Sequence, residues 1–511
     1  MVLPVGILRG PEEATVTALA PDWHDRARSI VIPTDLLIDG AWVCAADGAR
    51  MDAVSPIDGE VRASVASGSR IDVDRAVHAA RAAFEDGRWS RLAPAERKRI
   101  LIRWADLVVE RAADLALLQT LEMGKPVRES LAVDLRSVAN TIRWFGEAID
   151  KILDEMPHTD PSALALIARE PAGVVGAIVP WNFPLTMAAW KIAPALATGC
   201  SVVLKPAEQS PLSALLLAEL ALQAGVPDGV LNVVNGTGAA AGAALAAHPD
   251  VDVMTFTGST NVGRLIMRAA ADSNLKRVWL ELGGKSANVI FPDADIALAA
   301  ETAAWSIFYN QGEMCTAGSR LLVHESIHDE VMAIVMDVAG RMQPGHPLDA
   351  DAPIGALVGR SHLDRVHSMV GAALADGSDL VAGGTPVRQD TGGFYYPPTV
   401  FDRVDPHGYI SRHEVFGPVL AVSTFRSDDE AIAIANSSDY GLASALWTRD
   451  LSRAHLLSRR LKVGVVWVNC YEEGDMTIPF GGVKQSGFGR DKSLHALDKF
   501  LDQKSVWIQL T

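Results

Sequence analysis

The chain has 511 residues, 49% of them apolar and 21% charged, and a formal net charge of −16. That size and apolar content fit two or three packed domains, and the acidic balance argues against a nucleic-acid or anionic-membrane surface. Four widely spaced cysteines, Cys44, Cys200, Cys315 and Cys470, include no C-x-x-C pair; a reducing, cytoplasmic setting is expected, with neither disulfides nor a metal site.

Residues 1–33 read as an N-terminal tail. The first ten are briefly apolar but lack a basic region, and Pro4 and Gly6 interrupt them, so no secretory signal is expected. From about 35 to 65, short extended segments are punctuated by turns at Asp39-Gly40, Asp47-Gly48 and Asp58-Gly59. Between Asp72 and Lys151 the apolar spacing turns helical, and Trp144, Phe145 and Ile149 read as core. After Pro171, apolar runs at 173–179, 201–204, 230–234, 251–256 and 277–280 alternate with helical stretches. Five such strands predict a parallel sheet covered by helices on both faces, a nucleotide-binding layout. In the clearest helix, Ser210 is the expected cap and Pro211 opens the first turn. A second α/β segment runs from about 284 to 470, with strands at 287–291, 319–324, 419–425 and 464–469. The apolar stretch 505–510 and residues 163–170 both read as edge strands, paired within the chain or through oligomerisation.

Several strand ends carry chemistry. Asn182, between Pro180-Trp181 and Phe183-Pro184, can offer a fixed amide to an oxyanion or cap the next helix. Lys205 and Glu208 can hold two ribose hydroxyls, and a carboxylate there disfavours a 2′-phosphate, pointing to NAD over NADP. Gly258-Ser259 lies between a strand and a helix start and suits a pyrophosphate, although no G-x-G-x-x-G is present. Glu281, before Gly283-Gly284-Lys285, is a general base if partly buried, or a carboxylate paired with the lysine. Cys315 sits among small residues between Gly312 and Gly318, where a nucleophile would be accessible and its N–H free; a buried packing cysteine is the alternative. Glu414 and Phe416 offer a second ribose contact and an aromatic edge.

Together with Pro479-Phe480-Gly481-Gly482, these stretches resemble the aldehyde dehydrogenase superfamily, in its order and from about residue 35 onward. The resemblance implies an α/β fold with two parallel α/β domains, one for NAD and one for catalysis, and a β-strand oligomerisation arm. The implied boundaries are 34–149 and 172–283 for the NAD domain and 284–484 for the catalytic domain. Residues 150–171 and 492–511 would form the arm of a homodimer or homotetramer. It also implies that Cys315 attacks an aldehyde, that Asn182 and the Cys315 N–H hold the oxyanion, and that Glu281 activates water. Lys191 and Asp491 would relay protons. Ile178, Val179, Gly236, Val262, Leu282 and Gly283 would complete the cofactor site. Two departures stand out: Asp491, where many relatives have Glu, and Glu313, where Gln is common. Glu313 is expected to point away from the sulfur.

The segments 471–480 and 489–497 resemble the gamma-glutamyl-gamma-aminobutyraldehyde dehydrogenase subgroup. Glu472, Glu473 and Asp475, with Asp134, would form an acidic mouth suited to a cationic aldehyde. Phe183, Trp190, Met314, Thr316 and Phe480 would line the tunnel. A broad-specificity aldehyde dehydrogenase, a CoA-acylating relative and a non-catalytic NAD-binding protein are the alternatives.

Overall fold

In the computed structural model, residues 22–31 and 33–510 are described. Most of the expected N-terminal tail lies outside them, but Trp23–Ser29 is a helix. Asp22 caps it by accepting from the His24 and Asp25 N–H groups, and Arg26 pairs with Asp114 at 2.5 Å. That part of the tail is therefore anchored.

The first sheet has eight strands, and the five expected ones form its parallel centre. In spatial order these are Leu231–Val233, Ser201–Lys205, Val174–Ile178, Val253–Thr257 and Arg277–Glu281. The hairpin Leu36–Ile38/Ala41–Val43 closes one edge, and Gly487–Phe488 returns antiparallel to close the other. The inner strands Val174–Ile178 and Val253–Thr257 are buried throughout, which explains their unbroken apolar runs.

The second sheet has seven strands in the order Asp379–Ala382, Thr399–Asp402, Val419–Phe425, Arg320–His324, Ala287–Ile290, Ala443–Trp447 and Val465–Val468. All but the first run parallel. Strand Leu501–Gln509 pairs antiparallel with Ala163–Pro171 through nine residue pairs within the same chain. Among the described residues, no helix is long and apolar enough to cross a membrane.

The helix after Ser210 runs from Leu212 to Ala224, but Ser210 does not cap it. The cap comes from a distant residue. Glu122, at the end of helix Ala112–Met123, accepts from the Leu212 N–H (2.7 Å) and the Ser213 N–H (3.2 Å). A carboxyl at a helix N-terminus is well placed for the dipole, although burial pushes Glu122 up to about 8.

Ile178, Lys205, Thr257 and Glu281 each end a parallel strand of the first sheet. In an open α/β sheet that edge faces the ligand crevice, and the site is built there.

Candidate active site

Helix Ile296–Phe308 runs into a tight turn, Tyr309–Gly312, where Asn310 (φ 49°) and Gln311 (φ 55°) are left-handed. The turn delivers Cys315, half-buried, to an open cleft of about 280 Å³ between the two sheets. The approach of chain to chain is close here. A Cβ on Gly284 would lie 2.2 Å from the Cys315 carbonyl oxygen, so only glycine fits. Burial pushes the thiol well up, and the carboxylates of Glu472, Glu281 and Glu414 add to it.

Asn182 lines the same cleft. Its Nδ2 donates to the Glu313 carbonyl at 2.8 Å, which fixes the amide and leaves one N–H free to donate. The Glu313 side chain turns elsewhere, as expected. It accepts from the Val358 N–H at 2.9 Å and lies 3.6 Å from His362 Nε2.

Glu281 is buried and stands behind the cleft wall, with Oε2 unpartnered. Burial raises its pKa well above the usual range, and the charge of Asp491 adds to that. Lys191, Lys499 and Arg490 oppose the rise. Asp491 accepts from Lys191 Nζ at 2.5 Å and from Lys499 Nζ. Burial raises Asp491, but these two ammoniums outweigh it and hold the carboxylate ionised. Lys499 was not singled out from the sequence; it reaches the cluster only because residues 494–500 fold back onto helix Pro184–Thr198.

At the other end of the cleft, Ser259 caps helix Thr260–Ala271, accepting from the Val262 N–H at 3.4 Å. Pro180, Trp181, Gly258, Ser259, Leu282 and Gly283 form this wall. Glu414 accepts from the Gly284 N–H at 2.8 Å, and burial pushes it up to about 7. A Cβ on Gly283 would meet its Oε2 at 2.2 Å. Phe416 is left-handed (φ 61°) and meets Trp181 edge-on at 5.4 Å. His362 Nε2 donates to its carbonyl at 2.8 Å. Arg365 and Thr257 also line this wall without having been expected.

The remaining cofactor candidates lie beyond the cleft wall. Lys205 is buried, donates to the Pro206 carbonyl at 2.8 Å and is brought down to about 8 by burial. Glu208 accepts from the Gly238 N–H at 2.6 Å. Gly236 takes φ 146°, while Ile178 and Val179 are buried where the strand ends and Val262 is exposed on the first helical turn. A helix N-terminus, a buried carboxylate and flat aromatic faces along one groove are a donor and acceptor set that fits a dinucleotide.

The substrate end is apolar, formed by Phe183, Met187, Trp190, Met314 and Phe480, with Thr186 and Thr316 as its hydroxyls. Met187 and Thr186 were not anticipated. Trp190 and Phe480 pack 5.2 Å apart. The acidic mouth is smaller than expected. Glu472 lines the cleft in a left-handed conformation (φ 58°). Glu473 does not line it, and its carbonyl accepts from Trp467 Nε1 at 2.8 Å. Asp475 is exposed and closes its own turn by accepting from the Thr477 N–H and hydroxyl. Asp134 is not at the mouth either. It is buried in the π-helical turn Ser130–Leu135, accepting from Lys125 Nζ at 2.6 Å and from Gln119.

The Aldehyde dehydrogenase family profile matches residues 42–506. The Escherichia coli NADP/NAD-dependent aldehyde dehydrogenase PuuC is 52% identical, covering 96% of this chain and 98% of its own. Among solved structures, a mutant of the P. syringae AldA indole-3-acetaldehyde dehydrogenase, in complex with NAD+ and IAA, superposes with TM-score 0.95 at 54% identity. The gamma-glutamyl-gamma-aminobutyraldehyde dehydrogenase of Burkholderia cenocepacia superposes at 0.94 with 53% identity. Each alignment covers 96% of this chain and 99% of the other. With a match of that extent, and with one cysteine, one amide and one buried carboxylate gathered about one cleft, the chain belongs to the aldehyde dehydrogenase family.

Proposed function

We propose that the protein oxidises an aldehyde to the carboxylic acid with NAD, NADP being the weaker choice, and that its substrates are gamma-aminobutyraldehyde-type aldehydes. The observation that carries the chemistry is the shared cleft of Cys315 and Asn182, with Glu281 buried behind its wall. The Cys315 thiolate attacks the carbonyl carbon, while the free N–H of Asn182 and the Cys315 backbone N–H receive the oxyanion. The resulting thiohemiacetal becomes a thioester on the same sulfur. A nicotinamide, when bound, supplies the hydride acceptor for that conversion. Glu281 then takes a proton from the water that hydrolyses the thioester, and its raised pKa makes it a stronger base than an ordinary carboxylate. Lys191 and Lys499 hold Asp491 ionised beside it, so the proton has a charged neighbour to feel. Replacing Asn182 by Ala is expected to lower kcat by roughly 10²–10³, about 2.7–4 kcal/mol, with KM little changed; steady-state kinetics check this.

The substrate class rests on Glu472 and on the names of relatives, which include an aminoacetaldehyde dehydrogenase of Pseudomonas aeruginosa and the gamma-glutamyl-gamma-aminobutyraldehyde dehydrogenase of Burkholderia cenocepacia. The apolar walls and the indole-3-acetaldehyde neighbour favour a second reading, a broad aliphatic or aromatic range. The test is NADH formation on 4-aminobutanal against butanal. A preference of about a hundredfold in kcat/KM, roughly 2.7 kcal/mol, supports the cationic class. Equal values support the broad range.

The domain division given above, a cytoplasmic setting and a homodimer or homotetramer formed through the arm belong to the same proposal. Trp507 and Ile508 stay exposed on the arm strand and are available to a second copy.

A further inference from the structure

Of the three carboxylates that bear on the thiol, Glu472 is the one that both lines the cleft and keeps a buried oxygen without a hydrogen bond among the described residues. Strand Val465–Val468 delivers it, and the Tyr471 hydroxyl donates to the Thr316 carbonyl at 2.6 Å, tying this loop to the residue after the nucleophile. Its left-handed backbone turns the carboxyl into the cleft, and Oε1 is buried without a partner. Glu281 and Glu414 also bear on Cys315, but the first is withdrawn beside the Asp491 cluster and the second is bonded to the Gly284 N–H. The groups around Glu472 are the Tyr471 and Tyr309 phenols, the Thr316 hydroxyl and the Lys492 ammonium. Lys492 is shared with Asp475 and extends over the Trp190 ring at 5.9 Å. One carboxylate oxygen, Oε1, thus has no hydrogen bond among the described residues, while the Thr316 hydroxyl and the Lys492 ammonium bear on the rest of the group.

We propose that a cationic substrate switches on its own nucleophile: its ammonium pairs with Glu472 and shields Cys315 from that carboxylate. This rests on the aminoaldehyde reading above and adds a coupling to it. Glu472 then serves both recognition and timing. In the empty site the carboxylate disfavours a second negative charge beside it, and Cys315 stays a thiol, protected from oxidation. When an ammonium arrives, the penalty is lifted and the thiol proton leaves to solvent. A neutral aldehyde of equal size fills the same apolar walls but leaves the carboxylate bare.

The test uses the full chain and no aldehyde. Iodoacetamide alkylates the Cys315 thiolate, forming a carbon–sulfur bond as iodide leaves. Modification is read at the Cys315 peptide by mass spectrometry, because Cys44 is exposed and also reacts. n-Butylamine is the cationic probe and n-butanol the neutral one. Butylamine is expected to speed Cys315 alkylation at least tenfold, saturably, with butanol giving no acceleration. Burial pushes Glu472 up to about 7, so it is charged above that pH and neutral below. The acceleration is therefore expected to be larger at about pH 8 than at about pH 6. Glu472→Gln abolishes it, and Glu472→Asn, which tolerates the left-handed backbone, does the same. Asp475→Asn retains it. Absence of acceleration in the parent chain, or equal acceleration in Glu472→Gln, overturns the coupling. That failure is distinct from a failure of the aminoaldehyde reading, which shows in NADH formation and needs no alkylation.

Discussion

Glu281→Gln is expected to give a protein that forms about one equivalent of NADH per Cys315 and then stalls. The amide has the shape of the carboxyl but cannot accept the proton of the attacking water. Steps up to the thioester need Cys315 and Asn182, so they survive; hydrolysis loses its general base, a loss of roughly 10²–10⁴ in rate. Rapid mixing separates the burst from the steady state. In the parent chain, burial has raised the carboxyl well above its usual range. The base is active only when ionised, so kcat should rise with pH through that raised value and level off above it. A variant with no burst would instead place Glu281 before the thioester, as the group that takes the proton from Cys315.

The second large effect concerns stability. Lys125 and Asp134 are both buried, 2.6 Å apart, and the ammonium also lies 3.8 Å from the centroid of the Phe183 ring that lines the cleft. Removing one partner strands the other charge in the interior. Asp134→Ala is expected to cost about 3–5 kcal/mol, read from urea unfolding. The double variant Asp134→Ala, Lys125→Met should recover most of that, because no uncompensated charge remains. If the losses of Asp134→Ala and of Lys125→Met measured alone simply add in the double variant, the pair is not coupled, and Asp134 acts through Gln119 instead.

The sequence revealed what depends on neighbours along the chain. Cys315, Glu281, Asn182 and the Gly258-Ser259 turn stand in short stretches whose small or stiff residues announce a strand end, and the five central strands of the first sheet follow from apolar runs. Lys191 and Asp491 aside, which the family resemblance brought together, several contacts between distant segments were not legible. Lys499 reaches Asp491, and Arg365 the cofactor wall, by tertiary folding that leaves no local pattern. Ser210 is a good cap on local grounds, yet Glu122 from another helix takes the place. Asp134 went astray for a related reason. A π-helical turn shifts the face a residue presents relative to ordinary helical spacing, and the buried Lys125 that holds Asp134 lies nine residues earlier. In the acidic loop, three carboxylates in one short stretch suggested one mouth, but backbone turns send two of them outward.

The return of Gly487–Phe488 to the edge of the first sheet has a consequence for synthesis. A chain emerging from the ribosome can build the five central strands once residue 281 is out, but that edge stays unpaired for some two hundred residues more. Glu281 lies on it, and Asp491 and Lys499, which set its charge environment, arrive later still. Contacts of such long sequence separation form slowly and leave apolar edges open meanwhile. Glu281, the proposed general base, is thus among the last groups to be finished, and on that proposal a nascent chain already holding the cofactor wall would have no means of turnover.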